Sequence, residues 1–204
     1  MAELTGYPSI DKPWLKYYSE EAINAPLPEC TLFERIWNSN KDYPNDIALN
    51  YYDRKFTYKD LFDGIESAAK AFSALGIKKG DMVGVCSVNT PETVYSVYAL
   101  NRLGAVVNMI DPRTNIDGVK HYLEECNISV VLTVEPAYKL FKKLSSVVNI
   151  EKIISVSPAD SLPTFKKFFY RLKNKKPKLD DNAVFWSDFI ALGKDSQPEY
   201  APYE

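Results

Sequence analysis

From Ile47 onward, short apolar runs alternate with amphipathic stretches at helical spacing, and this alternation constrains the fold more than any other feature of the chain. Ile47 to Tyr52 and Lys55 to Tyr58 read as two strands around an Asp53-Arg54 turn. Thr57 is placed to cap a helix, with Asp60 three residues on in the manner of a capping box. Leu61, Ile65, Ala68, Phe72 and Leu75 follow at helical spacing until Gly76 stops the run. Met82 to Cys86 is a short apolar strand, and Thr90-Pro91 opens a second helix that runs to Leu103 and is apolar on more than one face. The alternation goes on: strand Ala105 to Ile110, helix Asn115 to Cys126, strand Ile128 to Thr133, helix Pro136 to Ser145, strand Lys152 to Val156. Elements of these lengths in this order imply βαβ units. The expected fold is α/β, a largely parallel, doubly wound sheet with helices on both faces.

Three regions follow from the same pass. Residues 1–45 form an arm rich in aromatics and prolines, with a short helix from Thr31 to Asn38. Residues 46–157 form the α/β unit. Residues 158–204 hold a basic amphipathic segment and a polar lead-in to whatever follows.

Composition excludes several function classes. A formal net charge of −2 gives no global pull toward nucleic acid. Three widely spaced cysteines, Cys30, Cys86 and Cys126, support neither a zinc ribbon nor a disulfide framework, and read as reduced thiols. The opening residues lack the basic start and apolar core of a secretory signal, and no apolar run reaches the roughly twenty residues of a membrane span. A cytoplasmic location is expected. The single histidine, His121, falls on a surface helix, and no GxSxG elbow exists to give it a nucleophile. None of the eight glycines forms GxGxxG or a Walker loop; Gly193-Lys194 is followed by Asp195. No pair of carboxylates stands out as acid and base.

Two stretches carry more than periodicity. FTYKDL, Phe56 to Leu61, sits where strand becomes helix. LGIKKGDMVGVCSVNTPETVYSVYALNRLGAVVNMIDP, Leu75 to Pro112, leads through a helix into SVVLT, Ser129 to Thr133. Together they resemble the N-terminal half of the adenylate-forming superfamily, which includes acyl-CoA synthetases, luciferases and peptide-synthetase adenylation domains. FTYKDL is similar to that family's first core motif and NRLGAVVNMIDP to its second; KPWLKYY, Lys12 to Tyr18, resembles the opening of fatty acyl-CoA ligases. The likeness spans residues 12–157.

The resemblance implies a two-step reaction in the parent enzyme. A carboxylate, by this likeness a fatty acid, attacks the α-phosphate of ATP, with Mg²⁺ neutralising the phosphates. The CoA thiol then displaces AMP. The family's phosphate loop, adenine-stacking aromatic, ribose-binding aspartate and C-terminal lysine all follow the region matched here. The chain is therefore expected to be a truncated N-terminal fragment, inactive alone and with no cofactor bound, and to self-associate through an exposed sheet surface or edge. Two rival readings stay open: an adenylating enzyme that loads a carrier protein, and a non-catalytic binding or scaffold module.

The resemblance also suggests Arg113, in Asp111-Pro112-Arg113, and Lys139 with Lys142 as contacts to the CoA phosphates, while the wet face of a surface helix explains the same lysines. Asn89 falls at the carboxyl end of a strand, where open α/β sheets bind ligands, though helix capping by Asn89 or Thr90 explains it equally. Finally, in residues 165–178 Phe165, Phe168, Phe169 and Leu172 share one helical face among seven basic residues and no acidic one. Such a segment lies on an anionic membrane, docks by its aromatic face, or forms a flexible insertion.

Overall fold

The computed structural model describes residues 4–203. The arm contains α1 (Pro8–Asp11), α2 (Glu20–Asn24) and α3 (Leu32–Asn40). A hairpin of β1 (Ile47–Tyr51) and β2 (Arg54–Thr57) follows, then α4 (Tyr58–Ala74). The remaining elements alternate: β3 (Met82–Cys86), α5 (Pro91–Arg102), β4 (Val106–Met109), α6 (Ile116–Glu125), β5 (Val130–Val134), α7 (Tyr138–Leu144), β6 (Lys152–Val156), α8 (Thr164–Lys173), β7 (Ala183–Phe185) and α9 (Trp186–Leu192).

The helix starts follow from their caps. Thr31 and Thr57 each close a reciprocal capping box, with Glu34 and Asp60 respectively. Thr90 and Asn115 accept from the third residue of α5 and α6. Between β1 and β2, Tyr52 and Asp53 both have positive φ, which makes them the two loop residues of a hairpin turn; Tyr51 pairs with Arg54. The turn thus sits one residue earlier than the sequence suggests. Asp53 tolerates the left-handed region, and the Asn50 side chain accepts its N–H at 3.1 Å.

Strands β3 to β7 form one fully parallel sheet in the order β4-β3-β5-β6-β7. The expected doubly wound sheet is present. Counted from β3 as the first strand, the order is 2-1-3-4-5, so the winding reverses between β3 and β5. Alternate strand residues feed two cores, as a side-chain period of two requires. Val83, Val85, Val130, Leu132, Ile154 and Val156 pack with Leu61, Ile65 and Phe72 of α4, Leu100 of α5 and Phe189 of α9. Cys86, Val131 and Ile153 face the other way, onto Val119 and Leu123 of α6 and Phe141 and Leu144 of α7.

Helices thus cover both sheet faces. Exposed apolar side chains cluster on the arm and on α8, and include Val106 and Met109 of the edge strand β4. The sequence reading also missed β7 and α9. They join the same sheet and core, with Phe189 fully buried 4.8 Å from Phe72. Arg102 ties the two ends of the chain together. Its guanidinium lies 4.1 Å from the Phe33 ring and 3.7 Å from the Tyr200 ring, and it pairs with Glu66 at 2.6 Å, which also accepts from the Tyr200 hydroxyl.

Candidate functional site

The carboxyl ends of β3 and β5 flank the reversal of strand order, where open α/β sheets form a crevice, and that of β6 lies next to β5. Ser87-Val88-Asn89 leaves β3 there, Glu135 ends the run from β5, and Ser157 to Ser161 follow β6. Thr90 supplies the cap of α5, so Asn89 is not the capping residue and stands exposed at the rim beside the exposed Val88. Behind them the hydroxyls turn inward. Thr93 Oγ1 lies 2.9 Å from both Ser87 Oγ and the Val88 carbonyl, which fixes the loop.

Deeper in, four charged residues from four segments converge. Glu92, in the first turn of α5, is buried and accepts from Ser161 Oγ at 2.5 Å through one oxygen. Its other oxygen has no hydrogen-bond partner among the described residues. Burial, only partly offset by the Ser161 bond, holds this carboxyl above its usual range. Arg171 reaches in from α8 and grips Glu135 through Nη1 at 3.0 and 2.9 Å; its Nη2 lies 3.8 Å from Asp160. Asp160 accepts from the Ser157 N–H at 2.9 Å, and burial, with Glu135 nearby, raises its carboxyl as well. Tyr51 donates to the Pro158 carbonyl at 2.8 Å, and burial pushes its phenol up to about 12. Two carboxyl groups thus share one guanidinium, and Glu92 lies beside them near Asp160. The arrangement orders the rim loops and fixes α8; it presents no activated nucleophile.

Sequence reasoning missed this nest. Glu92 reads as an ordinary acid in a helix's first turn, and its partner Ser161 lies 69 positions away. Only the Pro-rich turns at Glu135-Pro136 and Ser157-Pro158 hinted that the strand ends were special.

The three residues suggested for CoA phosphates are not equivalent. Arg113 is exposed and folded back on Asp111, with Nη2 at 2.5 Å and Nε at 3.0 Å, and this hydrogen bonding holds Asp111 down at about 2. Lys142 pairs with Asp180 at 2.7 Å, raising the lysine and lowering the aspartate. The Tyr138 hydroxyl donates to the same Asp180 and accepts its N–H, so Lys142 anchors the lead-in to β7. Lys139 lies with Lys142, Lys143, Lys178, Tyr138 and Pro177 around an open basin of about 560 Å³. Arg113 is not part of it. The basin fits an anion in charge and residue type. The fit to ATP is different: no glycine-rich phosphate loop occurs, and among the described residues no three His, Cys, Asp or Glu side chains gather as a metal site. No step through nucleotide or metal is assigned to this chain.

The remaining candidates resolve simply. His121 is exposed on α6, 3.1 Å from Glu125. All three cysteines are free thiols, and burial raises that of Cys86 to about 11, which keeps it unreactive. Among the described residues no helix is long and apolar enough to cross a membrane.

The family model of AMP-binding enzymes matches residues 36–187. A long-chain-fatty-acid–CoA ligase of Bacillus subtilis (strain 168) is 28% identical over 166 residues, which is 81% of this chain and 30% of that enzyme. The phosphinothricin tripeptide synthetase PhsC of Streptomyces viridochromogenes is 26% identical over 136 residues, covering 64% of this chain and 12% of the synthetase. Among solved structures, a long-chain-fatty-acid–CoA ligase from Archaeoglobus fulgidus superposes with a TM-score of 0.64 at 18% identity, over 86% of this chain and 33% of the ligase. That likeness shows the fold. The chain spans about a third or less of each of these proteins.

Proposed function

The chain belongs to the AMP-binding enzyme family, and from that membership we propose that it forms the N-terminal α/β layer of an ATP-dependent, AMP-forming acyl-CoA ligase that acts on fatty acids. One observation carries the reading: 166 residues align with a fatty-acid–CoA ligase across the same region that holds FTYKDL and NRLGAVVNMIDP. Its part in the enzyme is to hold the crevice rim in shape, through the Glu135–Arg171 pair and the Thr93 hydrogen bonds. Within the 204 residues no phosphate loop is available to bind ATP, so this chain alone is expected not to activate a carboxylate.

Pyrophosphate exchange with a panel of carboxylic acids tests the proposal. The full product of the gene is expected to exchange with fatty acids and to form acyl-CoA, and the 204-residue chain to do neither. Exchange with amino acids and transfer to a carrier-protein thiol would favour the second reading, a carrier-loading enzyme, which the likeness to the tripeptide synthetase keeps in view. No exchange by the full product with any acid would leave a non-catalytic module.

The lysine basin is the proposed contact for CoA phosphates, with Lys139 as its principal member because Lys142 is committed to Asp180. Lys139→Ala in the full product should raise KM for CoA about fivefold, the scale of one exposed charge pair near 1 kcal/mol, and leave pyrophosphate exchange alone. We further propose that copies of the chain pair along the β4 edge at high concentration, since Val106 and Met109 are exposed there. A monomer by light scattering contradicts that.

A further inference from the structure

Helix α8 lies on the protein with its polar side inward. Lys167, Tyr170 and Arg171, spaced three and one apart, are its half-buried positions, and Arg171 is clamped by Glu135. Lys166 is tied at the helix's flank to Asp53 at 2.6 Å and to the Tyr52 carbonyl at 2.9 Å. The apolar face therefore points away from the protein: Phe165 is 73% exposed, Phe168 60%, Phe169 47% and Leu172 65%. The three phenylalanine rings pack on one another edge to face, at 4.7 and 5.6 Å, rather than on a core. Exposed Tyr52 extends this aromatic surface beside Lys166.

A soluble protein does not ordinarily leave such a contiguous patch unpartnered. The charges around it indicate the partner. From Pro163 to Leu179 there is no Asp or Glu, while Lys173, Lys175, Lys176 and Lys178 follow the apolar face in close succession. A protein surface that covered the patch would have to match this cation run as well. An anionic bilayer offers both an apolar interior and phosphate charge in one plane.

We propose that α8 docks the protein on anionic lipid bilayers, with Phe165, Phe168, Phe169 and Leu172 entering the headgroup boundary and the lysines after it meeting lipid phosphates. The clamp through Arg171 and Lys166 orients the helix for this before any lipid arrives, so little ordering cost falls on binding. The inference needs only the helix and the lysines that follow it, and stands apart from the ligase reading.

The test uses co-sedimentation of the 204-residue chain, at low salt, with phosphatidylcholine vesicles and with vesicles containing about 30% phosphatidylglycerol. Binding is expected to the anionic vesicles, to weaken with salt, and to be roughly tenfold or more weaker on neutral ones. The triple variant F165S/F168S/L172S should lose roughly tenfold or more of the binding while keeping the wild-type melting temperature, because these side chains lie outside both cores. K173Q/K175Q/K176Q should lose about fivefold per lysine. In Phe168→Trp the emission should shift blue only when anionic vesicles are added. Failure of the wild type to bind anionic vesicles at low salt overturns the proposal, as does equal binding by the serine variant. A blue emission that appears with protein concentration alone makes a second copy the occupant. The same emission in the full gene product without lipid gives the face to the rest of that chain. Either result also overturns it.

Discussion

Helices α4 and α8 carry the same kind of sequence signal and face opposite ways. In α4 the apolar stripe of Leu61, Ile65, Ala68 and Phe72 is fully buried against the sheet. In α8 the stripe of Phe165, Phe168, Phe169 and Leu172 is exposed, and the basic stripe is the one held by the protein. What differs is the surface each helix meets. Helix α4 packs with α5 and α9 in a core shared with Val83, Val85, Leu132 and Ile154 of the sheet, where apolar side chains fit. Helix α8 crosses the strand ends, where the carboxylates of Glu135 and Asp160 face its Arg171. Amphipathicity separates two faces of a helix; the neighbour decides which turns inward.

The largest test of this contrast compares two phenylalanines. Phe72→Ala removes a fully buried ring that stacks on Phe189, and should cost about 3–5 kcal/mol. Phe168→Ala should change stability by about 0.5 kcal/mol or less, as at any exposed site. Urea unfolding measures both. Comparable losses would mean that the α8 stripe packs on the protein after all.

This contrast also shows what sequence can and cannot give. The caps at Thr57 and Thr90 and the short apolar strands were legible because each depends on neighbours within a few residues. Strand β7 was not: three residues, Ala183 to Phe185, carry too little pattern to separate from a loop, and the parallel pairing with β6 makes the strand. The nest was illegible for a stronger reason. Arg171 and Glu135 are 36 positions apart and Glu92 and Ser161 are 69, and nothing local marks either pair. The residues suggested for CoA were chosen for their positive charge, and the ion pairs to Asp111 and Asp180 that engage Arg113 and Lys142 appear only in three dimensions.

A second test weighs the two ties that orient α8. Arg171 is 19% exposed and Glu135 6%, so Arg171→Ala strands buried carboxylates and should cost about 3 kcal/mol. Lys166 and Asp53 are much more exposed, and Lys166→Ala should cost about 0.5 kcal/mol at most. If the two variants lose equally, the helix is held by general packing and not by the clamp.

The smallest expected effect is a pH dependence, and it bears on the same nest. Burial raises the carboxyls of Glu92 and Asp160 in the folded protein. Above the ordinary carboxylate range near pH 4 the folded state then holds more protons than the unfolded one, so these groups make stability fall as pH rises through that range and beyond. Asp60 and Asp180 are lowered, chiefly by hydrogen bonds from Thr57 and Lys142, and act in the opposite sense: their stabilisation is present above the unfolded pKa and is lost as pH falls below it. Glu92→Gln isolates the first group. It keeps an acceptor for the Ser161 hydroxyl and removes the buried charge. The variant should be more stable than the wild type at pH 7.5 and no more stable at pH 4, with denaturant midpoints as the readout. A variant weaker than the wild type at pH 7.5 would show that the carboxylate is charged in the fold and balanced by Arg171, which would make the clamp on α8 a four-residue network.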